Sequence, residues 1–383
     1  MGVSMTGRQK VEAAFSKPGA PEIPAVICYE GIYVRDHWDQ VTSCPWWYVH
    51  SNNLDHQFAW RRDAIERTGQ DWFFLPATAS REERERTAIE ERANGFFSVN
   101  RRTGEAEKLH PPVIGGWGVG CGEGSVRPEE IADTPRKIDS ILPPVEPFDA
   151  KAFRAGGRAD LADRLLCEYG DKLWPISHVA GPVWGLYNLW GFEEMMVMVA
   201  SRVDLVKYAC ERNLAHSIRG VGMAAELGAA GIWIEECMTD MLSPKAFAEI
   251  NVPLLKRLCE EIRASGVKSI YYYCGNPAGK WDEILSIGAD AISLEESKKG
   301  FIVDVDEVVE RVGGEATVFG NLDAIGLLTN GSDVELAAEI KRQVAAGRRN
   351  GDRFVMSIGS PVTPATPVTR VRRYCDLVHE IGR

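Results

Sequence analysis

Short apolar runs alternate along this chain with longer stretches whose apolar residues recur every three to four positions. Eight runs stand out, at residues 25–29, 71–75, 173–179, 231–236, 269–274, 291–295, 316–320 and 354–358. They are rich in Val, Ile and aromatics, as strands covered on both faces should be. Helix starts are readable between them. Ser243-Pro244 supplies an N-cap and a proline at the first helical position of a helix over 245–263, which Pro253 is expected to kink. Thr366-Pro367 is expected to do the same for a last helix ending near residue 381. Strands alternating with helices predict parallel βα units. Eight of them close most economically as an α/β (β/α)8 TIM barrel, with a doubly wound open sheet as the alternative.

One segment breaks the alternation. Between residues 80 and 128 a charge-dense stretch is followed by turn signals at Asn94-Gly95 and Thr103-Gly104. This predicts a small antiparallel meander inserted after the second strand. The glycine-rich segment 115–124 lacks the Lys-Ser/Thr ending of a phosphate loop and reads as a loop or lid. No linker divides the chain, so residues 1–383 are expected to form one domain.

Composition narrows the partners. A hydrophobic fraction of 45% suits a sizeable core, and a net charge of −11 argues against nucleic acid or an anionic membrane surface. No apolar run approaches a bilayer span and no secretion signal is visible; nine scattered cysteines read as reduced thiols. A cytoplasmic location is the expectation. Several of the eleven tryptophans cluster early, which suits an aromatic-lined pocket as well as a core.

In a barrel of parallel strands the active site lies at the C-terminal strand ends. Those ends carry Tyr29-Glu30, Ser177-His178, Glu235-Glu236-Cys237, Tyr272-Tyr273-Cys274, Glu295-Glu296, Asn321 to Asp323, and Ser360. Alternation puts Tyr272 and Cys274 on one side of their strand and Tyr273 on the other. So many carboxylates beside Cys, His and Tyr must be paired, protonated or metal-bound. For Glu235 or Glu295, a plain ion pair with Lys298 or Lys299 is the simpler reading.

These motifs resemble the uroporphyrinogen decarboxylase-like superfamily, which includes corrinoid-dependent methyltransferases. The resemblance rests on Met5-Thr6-Gly7-Arg8 through Phe15, Gly181-Pro182, Leu242-Ser243-Pro244 with Phe247, Gly320-Asn321-Leu322-Asp323, and Gly359 through Pro367. The decarboxylase branch implies arginines after the first strand, an aspartate after the fourth and a histidine after the eighth. Here Glu30, Glu236 and Ser360 stand near those places, and a glutamate-rich mouth would repel a polycarboxylate. The methyltransferase branch implies zinc on a His-x-Cys, an acidic residue and a last cysteine. Cys274 and Glu296 match two of these positions, while Tyr272 and Ser360 replace the others, so Glu236, Cys237 or His178 would have to complete the set.

The resemblance therefore implies a methyltransferase, zinc-assisted by the family's pattern, that moves a methyl group from a small methoxylated or methylated compound, as in O-demethylation. The acceptor would be a corrinoid carried by a separate protein, since this chain has no Asp-x-His-x-x-Gly segment. Expected catalytic groups are Tyr272, Glu236, His178 and Glu235. Expected substrate contacts are Tyr29, Glu30, Trp184, Asn321, Asp323 and Ser360, and expected metal ligands are Cys274, Glu296 and Glu236. A metal-free decarboxylase or lyase on a small acid is the alternative. Homodimerisation is implied only by relatives.

Overall fold

The structure, a computed structural model, describes residues 4–116, 131–298 and 300–383. A curled parallel sheet forms its centre. Its strands are β1 (Trp72–Phe74), β5 (Trp174–Ala180), β6 (Gly231–Glu236), β7 (Lys268–Tyr273), β8 (Ala291–Leu294), β9 (Thr317–Phe319) and β10 (Phe354–Val355). They pair in that order, all parallel. The order never reverses, as it must in a doubly wound sheet. A separate antiparallel sheet, β2 (Thr87–Arg92), β3 (Gly95–Asn100) and β4 (Ala106–Lys108), is the expected meander. Of the glycine-rich segment, only Gly115 and Gly116 are among the described residues.

The run at 25–29 does not form a strand of its own. Ala25 makes a single parallel bridge to Met356. On that side Val26 N donates to Met356 O and Met356 N to Pro24 O, both at 2.9 Å. On the other side, Asp71 N donates to Ala25 O at 2.9 Å. The remaining donors turn to side chains: Ala25 N to Asp71 Oδ2 at 2.7 Å and Ile27 N to Gln70 Oε1 at 2.8 Å. Carboxylate and amide oxygens thus replace a backbone ladder, which is why periodicity predicted a strand and the bonding does not register one.

Alternation sorts the side chains into two cores. Trp72, Trp174, Ile176, Trp233, Ile270, Tyr272 and Phe319 fill the concave side with Val26 and Cys28. The opposite faces, among them Ile232, Ile234, Tyr271 and Tyr273, pack against the helices. The helix Gly7–Ala14, opened by a Thr6–Gln9 capping box, closes the N-terminal end by stacking Phe15 on Trp174 at 5.3 Å.

Two helix expectations change. Ser243 caps as predicted, accepting from Ala246 N. The helix then passes through a π segment, Phe247–Asn251, before Val252–Ala264, so Pro253 begins a new α-helical stretch rather than kinking one. The last helix is Val368–Ile381 with Pro367 at its N-cap. Thr366 bonds to Thr329 instead, and Val368 N donates to Gln40 Oε1 at 3.0 Å.

Packing at the start of β6 leaves no room for a side chain. A Cβ at Gly231 would lie 1.9 Å from the buried Trp174 ring. Gly231→Ala is expected to cost about 1–3 kcal/mol or more, read as a lower midpoint in urea unfolding.

Candidate active site

All seven strands point their C-terminal ends to one face, and three of the turns there bend through left-handed backbone. Tyr29 (φ 56°), Met238 (φ 65°) and Gly275 (φ 105°) follow the first run, β6 and β7. Strain of this kind at non-glycine positions persists only where packing holds it, and it often marks a working site. At Tyr29 the bend starts the helix Glu30–Asp36 and sends the tyrosine ring over Tyr272, edge to face at 5.6 Å. At Met238 it follows Cys237, whose Sγ lies 3.6 Å from the Tyr29 hydroxyl.

A cavity of about 860 Å³ opens between these ends and the meander. Trp38, Trp60, Trp72, Trp233, Phe74 and Tyr29 form much of its wall, and residues 107–113 with Ser98 contribute the meander side. Its charged lining groups are two acids, Glu30 and Glu107, and three bases, Arg35, Arg61 and Lys108, an excess of one positive group, with three histidines besides. Arg35 is already tied to Asp36 at 2.7 Å. Glu30 and Arg61 both line the cavity without an ion pair to each other. Burial raises the Glu30 carboxyl to about 7, against the pull of His178 and Arg61. Burial likewise lowers Arg61 to about 9. A carboxyl that titrates near neutrality is suited to giving up a proton in catalysis.

The other expected residues are distributed as follows. His178 lines the cavity and lies 3.7 Å from Glu235 Oε1, both facing the concave side. Glu236 faces the helices: it is fully buried, with Oε1 accepting from Trp184 N at 2.9 Å and Oε2 from Asn251 Nδ2 at 3.1 Å. A Cβ at Gly181 would lie 2.3 Å from that carboxylate, so the Gly181-Pro182 turn exists to let it in. Trp184 stacks on Tyr187 at 5.3 Å, away from the cavity lining. Tyr272 is buried and donates to Gly359 O at 2.9 Å. Asn321 bonds to Glu295 O and Val303 O. Asp323 caps the turn Ala324–Thr329 by accepting from Ile325 N and Gly326 N. Ser360 donates to Glu296 Oε1 at 2.5 Å. These five residues hold the frame around the site.

The expected zinc ligands do not converge. Cys274 faces the concave side beside Cys237 and Glu295; contact with the Cys237 thiol first, then burial and Glu295, holds its own thiol strongly protonated. Lys298 Nζ lies 2.6 Å from Glu295 Oε1, the simple ion pair foreseen for that residue; Lys299 lies outside the described residues. Glu296 is engaged by Ser360 and Glu236 by Asn251. Among the described residues no three of His, Cys, Asp or Glu are placed to hold a metal ion. The donor set as arranged does not fit the expected zinc, and the lysine already supplies the positive charge beside Glu295.

The family model for uroporphyrinogen decarboxylase (URO-D) matches residues 113–381. The chain belongs to the uroporphyrinogen decarboxylase family. A uroporphyrinogen decarboxylase of Anaeromyxobacter sp. (strain Fw109-5) is 26% identical over 266 residues, covering 68% of this chain and 72% of that one. The chloroplastic uroporphyrinogen decarboxylase 2 of Arabidopsis thaliana is 27% identical over half of this chain and 46% of its own. Among solved structures, a methyltransferase from Methanosarcina mazei superimposes with a TM-score of 0.66 at 17% identity, covering 98% of this chain and 99% of that one, which shows a shared fold. In this family member no helix of the described residues is long and apolar enough to cross a membrane.

Sequence reasoning missed Arg61, Asn251 and Trp233, whereas Trp38, Trp60 and Trp72 belong to the early tryptophan cluster that suited a pocket. Asn251 carries a readable consequence. Burial raises Glu236 to about 8, with Asn251 and Trp184 N partly opposing this. A carboxyl raised above its unfolded value of about 4.5 binds more protons folded than unfolded. Stability should therefore fall as pH rises from about 4.5 through about 8 and stay lowered above it. Glu236→Gln keeps an acceptor for Trp184 N and offers a donor to Asn251 Oδ1, which has no partner now. The variant is expected to melt several degrees above wild type at pH 9 and within a degree or two of it at pH 5.

Proposed function

We propose that this family member is a methyltransferase acting on a small, ring-containing methoxylated compound held in the aromatic cavity. The observation that carries the reading is the cavity itself. Its walls are largely tryptophan and phenylalanine and its three basic groups exceed its two acidic ones by only one, which suits one flat, mostly apolar molecule and not a tetrapyrrole bearing many carboxylates. The methyltransferase of similar fold supports it. The proposal takes the curled sheet as a closed barrel in which residues 24–28 stand as the eighth member.

In this reading the O–CH3 bond breaks as the methyl group passes to an acceptor that a separate corrinoid protein supplies. Glu30, in its protonated form, gives its proton to the departing oxygen, so that a neutral hydroxyl leaves. Burial raises the Glu30 carboxyl and His178 and Arg61 oppose the rise, which keeps its acidity near the working range. The tryptophans orient the ring and exclude water. No step uses a metal held by this chain.

A second reading, decarboxylation of a small acid, has the names of the relatives in its favour and could use the same proton donor. The product separates them. With 4-methoxybenzoate and reduced cobalamin as probes, the methyltransferase reading expects methylcobalamin and a phenol, whereas the decarboxylase reading expects carbon dioxide. Glu30→Gln is expected to lower the rate of methyl transfer by about 100-fold or more. The wild-type rate should be flat below pH 7 and fall above it as Glu30 loses its proton; a rate that rises across that range would remove Glu30 from the acid's role.

A further inference from the structure

The cavity contains a cation with unused donors. Arg61 lies on the helix Leu54–Thr68, its guanidinium carbon over the Trp60 ring at 3.9 Å from the ring centre. One of its terminal nitrogens, Nη1, donates to Gln57 O at 3.0 Å and to Gln57 Oε1 at 2.5 Å. These two bonds and the stacking fix the plane of the fork. Among the described residues, Nε and Nη2 have no acceptor, and Arg61 has no carboxylate within ion-pair distance, although it lines a cavity walled by aromatic rings. Glu30, the acidic side chain whose charge reaches Arg61, is likewise without a hydrogen-bond partner among the described residues.

A guanidinium stacked on one face and anchored at one nitrogen presents its remaining N–H edge as a pre-set pair of donors. Such an edge matches the two oxygens of a carboxylate, and its planar fork is already ordered, so little freedom is lost on binding. Other cations of the cavity are placed differently. Arg35 is tied to Asp36, and Lys108 is exposed on an edge strand. Arg61 is half-buried, so this edge is open to the cavity and can exchange water for the oxygens of a ligand.

We infer that Arg61 is the anion-binding residue of the cavity and that the natural ligand is an aromatic or similarly flat carboxylic acid. The acid docks on the Nε/Nη2 edge of Arg61, and the ring lies between the tryptophans. This rests on the methyl-transfer reading only for what happens next: the end of the ring away from the acid would carry the methoxy group toward Glu30. The binding site itself does not depend on that reaction. A protein with a net charge of −11 repels anions in general, so a carboxylate preference would have to come from a local group such as this one.

The test is binding, measured apart from turnover. Wild-type protein is titrated with 4-methoxybenzoate and with its uncharged isostere 4-methoxybenzamide, following tryptophan fluorescence with calorimetry as a check. The acid is expected to bind about 10- to 100-fold more tightly than the amide, as for a charge-assisted hydrogen-bonded pair. Arg61→Gln should lose that preference while keeping its affinity for the amide, which also shows that the cavity has survived the change. Arg61→Lys should retain part of it. Equal wild-type affinity for acid and amide, no binding of either, or an undiminished preference in Arg61→Gln would overturn the assignment. Acid selectivity that depends on Arg61 in a protein that forms no methylcobalamin would leave this site standing and remove the methyl-transfer reading alone.

Discussion

Residues 24–28 are held by one buried carboxylate, and the geometry of the site follows from that. Asp71 accepts from Ala25 N and from His379 Nε2, both at 2.7 Å, and Lys10 Nζ lies 3.5 Å from its other oxygen. The start of the chain, its last helix, β1 and the segment preceding Tyr29 thus meet at a single side chain. A carboxylate so buried is stable because a cation and donors surround it. Its neighbour Gln70 completes the substitution of side chain for backbone at Ile27. Cys28, Tyr29 and Glu30 follow within three residues, so the register fixed at the closed end of the sheet determines where the ring and the acid stand at the open end.

The same economy is visible at the other strand ends. The parallel sheet brings many polar groups to one face, and most of them are consumed in holding the turns. Asn321 binds two backbone carbonyls, Asp323 caps a turn, Ser360 holds Glu296, and Lys280 gives its three donors to Thr239 O, Asp240 O and the Tyr273 hydroxyl. What remains uncommitted among the described groups facing the cavity is small in number, and Glu30 and Arg61 are prominent in it. Chemistry at this face is defined less by which polar residues are present than by which are left without a structural partner.

Much of the fold was legible because strand signals in a parallel sheet are strong. β6 coincides with its apolar run, and the meander lies where its turn residues put it. The site was harder to read. Alternation placed Tyr272 with Cys274, but parity alone does not say which parity faces inward, so Glu235 and Glu236 could not be distinguished. Only the core shows Glu235 following Trp233 on the concave side while Glu236 joins the helix layer. Arg61 sits in a helix whose string of charges, from Arg61 to Glu66, looks like a solvated surface. Its orientation depends on Trp60 and Gln57, contacts at one and four residues that have no distinctive pattern. The resemblance to the methyltransferase branch pointed to Cys274 and Glu296, but Cys274 lies beside Cys237 and Glu295 while Glu296 is engaged by Ser360.

One wall of the cavity belongs to the meander, which shares no strand pairing with the central sheet. The two parts of the site can therefore diverge at different rates. Substitutions among residues 107–113 can reshape the space available to a ligand while the central sheet stays constrained by its own packing. A duplicated gene could acquire a new ligand through this appendage alone, so relatives with nearly superimposable central sheets need not recognise the same molecule.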